Sequence, residues 1–382
     1  MSRVMNPACG GALLAALAFL LAVPIAHAEI LALVNYEAKP EAMVRREGLA
    51  VLDVDPNSAS FGNLLMDVPL PPNSGTHHIY LNEDRTKAYV TALARSVLYV
   101  LDLTRFPYRI KVIAVPDCQG GEDIVFSDDN RTWYLTCITS DAIIVGDAGT
   151  DQPLKTIRSP LIRHPHGIAL HGGIDRILVT STVASDLGDP GETVTVLEAS
   201  TGKVLSAHIV SNKPSPSGAA PVEILFHQQA ADPPIAYITN MFEGTLWLAV
   251  WNPSTKGFSF RQVDDFGPRG HGIPLEMERN RKRDRLYVTT AKPGHLSVYD
   301  ITVAAQPKFL KAIPAAPGAH HLVLSPDERY VFVQNSLLNL PGMNDGSITV
   351  IDAVSGTAIA SVGTLKYQGL NPNCIVLLPA KP

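Results

Sequence analysis

Apolar and polar positions alternate in short runs along most of the chain, and the runs recur as a set. The recurring nucleus is an apolar triplet: Ile79-Tyr80-Leu81, Ile124-Val125-Phe126, Ile168-Ala169-Leu170, Ile224-Leu225-Phe226, Ile273-Pro274-Leu275, Leu322-Val323-Leu324 and Ile375-Val376-Leu377. A polar turn follows, such as Asn82-Glu83-Asp84-Arg85 or Ser325-Pro326-Asp327-Glu328. It leads into a β-rich run ending in a small polar residue: Ala88-Tyr89-Val90-Thr91, Trp133-Tyr134-Leu135-Thr136, Ile177-Leu178-Val179-Thr180, Ala236-Tyr237-Ile238-Thr239 and Leu286-Tyr287-Val288-Thr289, with Gln334 in the sixth copy. A third run (97–103, 142–147, 193–198, 245–251, 295–301, 347–352) and a fourth, such as 111–115 or 357–362, complete each unit. Short, evenly spaced runs rich in Val, Ile and Tyr and broken by Gly, Pro and Asp predict antiparallel strands.

Counted two residues before the triplet, at 77, 122, 166, 222, 271, 320 and 373, the units step by 45, 44, 56, 49, 49 and 53 residues. Four-strand units of this period predict an all-β, seven-bladed β-propeller. The last copy has only its first strand before the chain ends. Runs 30–36, 49–55 and 64–68 have the spacing of second, third and fourth strands, so a blade combining both termini is expected to close the ring. Closure removes the exposed sheet edges that promote aggregation.

The runs Ala88-Tyr89-Val90-Thr91, Tyr237-Ile238-Thr239-Asn240 and Ser325 to Asn335, with Gly346-Ser347-Ile348-Thr349-Val350-Ile351-Asp352, resemble the YVTN-type β-propeller repeat of secreted bacterial proteins. The resemblance covers nearly all of the chain after its opening segment and implies the fold. Related propellers include copper enzymes, haem-binding proteins, amine dehydrogenase subunits, lactone hydrolases and binding platforms, so function has to be argued from the site.

Composition sets the compartment. Arg3 precedes an apolar run, 12–23, that ends in Ala26-His27-Ala28, the pattern of a secretory signal peptide over 1–28. Residues 29–382 then form one propeller domain, periplasmic or secreted, with no later run long enough for a membrane anchor. Without Arg3 there are 30 basic and 36 acidic residues and no clustered positive footprint, which excludes nucleic acid as a partner. The basic run 279–285 reads as a solvated turn. Three cysteines remain after the signal; pairing of strands 122–127 and 132–138 puts a Cys118–Cys137 disulfide within reach and leaves Cys374 as the spare thiol.

The chemistry lies in the two positions before each triplet. The first reads His77, Glu122, His166, Val222, His271, His320, Asn373; the second reads His78, Asp123, Gly167, Glu223, Gly272, His321, Cys374. In a propeller the first strand of each blade is nearest the axis, so these columns converge at one channel mouth. His77, His78, His166, His271, His320 and His321 are the expected metal ligands. Copper or iron is the expected ion, and zinc also suits neutral imidazole. Glu122 and Glu223 are the expected catalytic carboxylates, orienting an imidazole or moving a proton. Arg163 and Arg269 precede histidines and read as rim charges or as anchors for an anion.

Three functions remain open. The leading one is a metal-dependent oxidoreductase acting on a small-molecule substrate. The second is a non-catalytic propeller that binds a periplasmic protein partner, a cofactor or a metal. The third is a lactonase-like hydrolase using one divalent cation on Glu122, Glu223 and Asn373. Neither a nucleophile elbow nor a Ser-His-Asp signature is visible.

Overall fold

The computed structural model describes residues 30–227 and 233–379. The predicted signal peptide lies outside the described residues. Seven four-stranded antiparallel sheets make up the fold. In the first blade the strands are Thr76–Leu81, Lys87–Ala92, Val97–Asp102 and Arg109–Ala114, each paired with the next. The second to sixth blades begin with Gly121–Phe126, Pro165–His171, Pro221–Phe226, Gly272–Arg279 and Ala319–Leu324. These innermost strands contact one another in turn around the ring.

The seventh blade is the composite expected from the sequence. Leu370–Leu377 pairs with Leu31–Ala38, placing Ile375 opposite Val34, and Glu47–Asp53 and Leu64–Leu70 follow outward. Leu31–Ala38 and Glu47–Asp53 are almost wholly buried, whereas Leu64–Leu70 alternates between half-buried and exposed. Such a gradient is expected when inner strands are covered on both faces by neighbouring blades and the outermost strand meets water. The core accordingly sits between blades: Tyr330, Phe332 and Val350 of the sixth pack with Val34, Ala50 and Leu52 of the seventh. A Cys118–Cys137 disulfide, with Cα atoms 5.2 Å apart, ties the entry of the second blade to its second strand, and Cys374 is a buried free thiol. No helix among the described residues is long and apolar enough to cross a membrane.

One irregularity positions the site. The innermost strand of each of the first six blades breaks register with its neighbour at the same place, between Thr76 and Ile79, Gly121 and Ile124, Pro165 and Ile168, Pro221 and Ile224, Pro274 and Met277, and Ala319 and Leu322. Each break takes two residues out of the ladder, as a β-bulge does when it re-aims side chains. The freed backbone groups are satisfied by the small polar residue of the second strand. The N–H groups of His78, Asp123, Glu223 and Glu276 donate to the hydroxyls of Thr91, Thr136, Thr239 and Thr289 at 3.0–3.2 Å, and that of His321 donates to Gln334. Thr136, Thr180, Thr239 and Thr289 then donate to the carbonyls of His166, Val222, Leu275 and His320 in the next blade at 2.6–2.7 Å. Asn35 and Gln334 do the same for His77 and Pro372. The recurrent Thr is therefore a stitch between bulge and neighbouring blade, and it sets the two columns side by side around the axis.

Candidate metal centre

Five of the six expected histidines meet on the axis. His77, His78, His166, His320 and His321 are all buried, His78 completely. The rings of His77 and His78 stack at 3.9 Å, His78 and His321 lie 4.5 Å apart, and His320 and His321 lie 4.3 Å apart. His77 and His166 sit on either side of Glu122, with their Nε2 atoms 3.1 and 3.6 Å from its Oε2. Asp123 Oδ1 is 2.5 Å from His78 Nδ1 and accepts a hydrogen bond from the Tyr80 hydroxyl, also at 2.5 Å. Glu276 reaches both sixth-blade histidines, at 3.7 Å from His320 Nε2 and 4.0 Å from His321 Nδ1.

His271 is the exception. It belongs to none of the three groups of side chains whose ligand atoms lie within 4.8 Å of one another: His77, His78, Glu122 and His166; His78, Glu276, His320 and His321; Asp123, His166 and Glu223. It stacks instead on His295 at 4.2 Å, just past a turn that ends at Gly270 with φ of 72°. The cause is register. The bulge of the fifth blade falls at Leu275 and Glu276, four residues beyond His271 and Gly272. Glu276 therefore takes the second-column place, and the first-column place belongs to Leu275. Spacing to the stitching residue carries this signal: His78–Thr91, Asp123–Thr136, Gly167–Thr180 and His321–Gln334 are each 13 apart, and 13 before Thr289 is Glu276. Gly167 has its own reason, since a Cβ there would lie 2.3 Å from the Val222 carbonyl oxygen.

The electrostatics suit a cation. Burial, and then the neighbouring imidazoles, push His78, His320 and His321 well below the usual histidine range, so these rings are neutral and offer a lone pair. Burial and nearby carboxylates push Glu223 and Glu276 well above the usual range. Of the ring nitrogens with no hydrogen-bond partner among the described residues, five belong to this cluster: Nδ1 of His77, His166 and His320, and Nε2 of His78 and His321. Buried polar atoms are ordinarily satisfied, so this concentration of imidazole nitrogens without a protein partner fits a cluster that could hold a metal ion. A proton on His78 Nδ1 donated to Asp123 leaves the Nε2 lone pair free, the arrangement in which an outer carboxylate would fix a ligand tautomer.

The centre separates two cavities. One, of about 310 Å³, has His77, Glu122, His166 and His320 at its floor. The other, of about 390 Å³ and lined by Tyr80, Asp123, Glu223, Glu276 and His321, opens on the opposite side. Of the two expected catalytic carboxylates, Glu122 thus faces the first cavity and Glu223 the second. Arg163 and Arg269 line neither; they pair with Asp189 and Asp264. Asn373 is held by donating to Glu37 and to the Thr76 carbonyl.

No protein-family model matches the sequence, and no curated protein matches it. Solved structures do resemble it. A hypothetical selenium-binding protein from Sulfolobus tokodaii superposes with a TM-score of 0.73 at 15% identity over 92% of each chain. The periplasmic gluconolactonase of Pseudomonas aeruginosa has a TM-score of 0.65 at 14% identity, covering 92% of this chain and all of that one. A putative 6-phosphogluconolactonase from Bacteroides fragilis has 0.64 at 10% identity, covering 92% and 98%. Likeness at these identities establishes a seven-bladed β-propeller and leaves function to the site.

Proposed function

We propose that this chain is an exported metalloprotein that holds copper or iron among His77, His78, His166, His320 and His321 and acts as an oxidoreductase on a small molecule entering from the Glu122 side. The observation that carries the reading is the set of five buried imidazoles with unpartnered ring nitrogens. Imidazole-rich sites suit copper, iron and zinc, whereas sites for harder cations are built from carboxylate and carbonyl oxygens. A bound copper or iron ion would supply the redox change. The chain's own groups have separate duties: Asp123 and Tyr80 hold the His78 tautomer, Glu122 spans His77 and His166 beside the substrate, and Glu223 and Glu276 exchange protons with the opposite cavity. Export is supported by the signal-like opening of the sequence and by the disulfide, which persists in oxidising compartments.

The lactonase reading draws support from the names of the Pseudomonas and Bacteroides neighbours and from the carboxylates Asp123, Glu223 and Glu276. Elemental analysis of protein isolated from the periplasm tests the choice. Stoichiometric copper or iron, lost in His166→Ala and His320→Ala and retained in His271→Ala, is expected. Stoichiometric calcium or magnesium would favour the hydrolase, and metal without redox activity would favour a binding platform.

A further inference from the structure

The two cavities differ in chemistry, and the difference bears on the substrate. Above the floor of His77, Glu122, His166 and His320, the 310 Å³ cavity is walled by Leu93, Ile138, Val183, Met241, Leu337 and Met343, among other apolar side chains. No lysine or arginine lines it, and the only carboxylate is Glu122 in the floor. Its polar wall groups are the hydroxyls of Thr139, Thr182 and Ser185. Thr139 and Ser185 are exposed, whereas the Thr182 hydroxyl is buried behind the wall. The opposite cavity carries the charge: Arg85, Asp123, Glu223, Glu276, Glu278 and Arg279 line it.

We infer that the ligand of the first cavity is a small, uncharged, largely apolar molecule with one hydrogen-bonding group, its apolar body against the Leu, Ile, Val and Met wall and its polar group at the Thr139 or Ser185 hydroxyl. The inference deepens the proposed metal centre, which forms the floor on which such a molecule would rest. A sugar lactone carries a hydroxyl on most carbons, and burying those groups against this wall leaves them unpaired, at a cost that outweighs the attraction the apolar wall offers in return. A phosphorylated sugar adds a charge that no cation in the wall meets. The two methionines give the wall freedom to fit an apolar body of irregular shape. Arg163 and Arg269 line neither cavity and are paired to acids, so neither offers an anion anchor here.

Calorimetric titration of the full-length purified protein with three probes tests this: benzyl alcohol, D-glucono-1,5-lactone and 6-phosphogluconate. Benzyl alcohol is expected to bind saturably and the two sugars to give no heat of binding. Met343→Trp, a substitution at a half-buried wall position, should abolish benzyl alcohol binding by filling the cavity. The double variant Thr139→Val, Ser185→Ala should weaken benzyl alcohol by about threefold to tenfold, the worth of one hydrogen bond, and leave toluene binding unchanged. Tighter binding of either sugar than of benzyl alcohol, or benzyl alcohol binding unchanged in both variants, would overturn the inference. Metal content of the same preparations keeps the two readings apart: a metal-free protein that binds benzyl alcohol with these variant effects would sink the metal centre and sustain the apolar site.

Discussion

Replacing Thr289 by valine keeps the shape of a fully buried side chain and deletes its hydroxyl. That oxygen accepts the Glu276 N–H at 3.2 Å and donates to the His320 carbonyl at 2.6 Å, so one atom ties the bulge of the fifth blade to the sixth. Thr289 is 0% exposed, so water cannot take over either role. A buried group left unsatisfied costs about 1–3 kcal/mol, and with a donor and an acceptor both stranded the loss of stability is expected at about 2–4 kcal/mol. Thr289→Ser keeps the hydroxyl and loses one methyl, worth about 0.8 kcal/mol. Urea denaturation followed by tryptophan fluorescence should separate the two, with the valine variant's midpoint lower by roughly 1 M if the urea dependence is about 3 kcal/mol per M. Because Glu276 and His320 are both site residues, the valine variant should also bind metal less well than the serine variant. Equal stability of Thr289→Val and wild type, within about 0.5 kcal/mol, would refute the role given to the stitch.

Other consequences follow from single contacts. Removing the Cys118–Cys137 bridge by a double alanine substitution opens a link across 19 residues and should cost about 3 kcal/mol in thermal or urea unfolding, with reductant reproducing the loss in wild type and adding nothing to the variant. Gly146→Ala would set a Cβ 1.9 Å from the fully buried Trp133 ring, so a loss of about 1–3 kcal/mol and a shifted tryptophan emission are expected. Burial, and then its hydrogen bond to Asp67, raise the Tyr36 phenol from 10 to about 12. Its contribution to stability is therefore complete below pH 10 and disappears as pH climbs through about 12, and a Tyr36→Phe variant should lack that component of alkaline unfolding.

Much of the architecture was legible because propeller blades repeat a local pattern. The strand runs, the composite seventh blade and five of the six bulge positions follow from apolar triplets and the polar residues ahead of them. The fifth blade departs from the pattern. His271-Gly272 resembles His166-Gly167, and matching on residue identity drew the alignment four positions early, away from Glu276. Strand pairing is set by backbone register, and the second-strand Thr289 reports that register better than a histidine does. Tyr80 was hidden for a different reason: within Ile79-Tyr80-Leu81 it counts as apolar, and its bond to Asp123 exists only once the second blade packs beside the first. The apolar cavity was out of reach altogether, since Leu93, Val183, Met241 and Leu337 come from segments far apart in the chain that meet only on closure of the ring.

In the proposed centre, five imidazoles from three blades share bound metal on the propeller axis. X-ray data collected at the copper and iron absorption edges, on crystals of protein purified without chelators, test it most directly. An anomalous peak is expected about 2.0–2.2 Å from ring nitrogens of at least two of His77, His78, His166, His320 and His321. A metal-replete crystal whose anomalous peak lies elsewhere, or imidazoles joined only by water and hydrogen bonds, would contradict it.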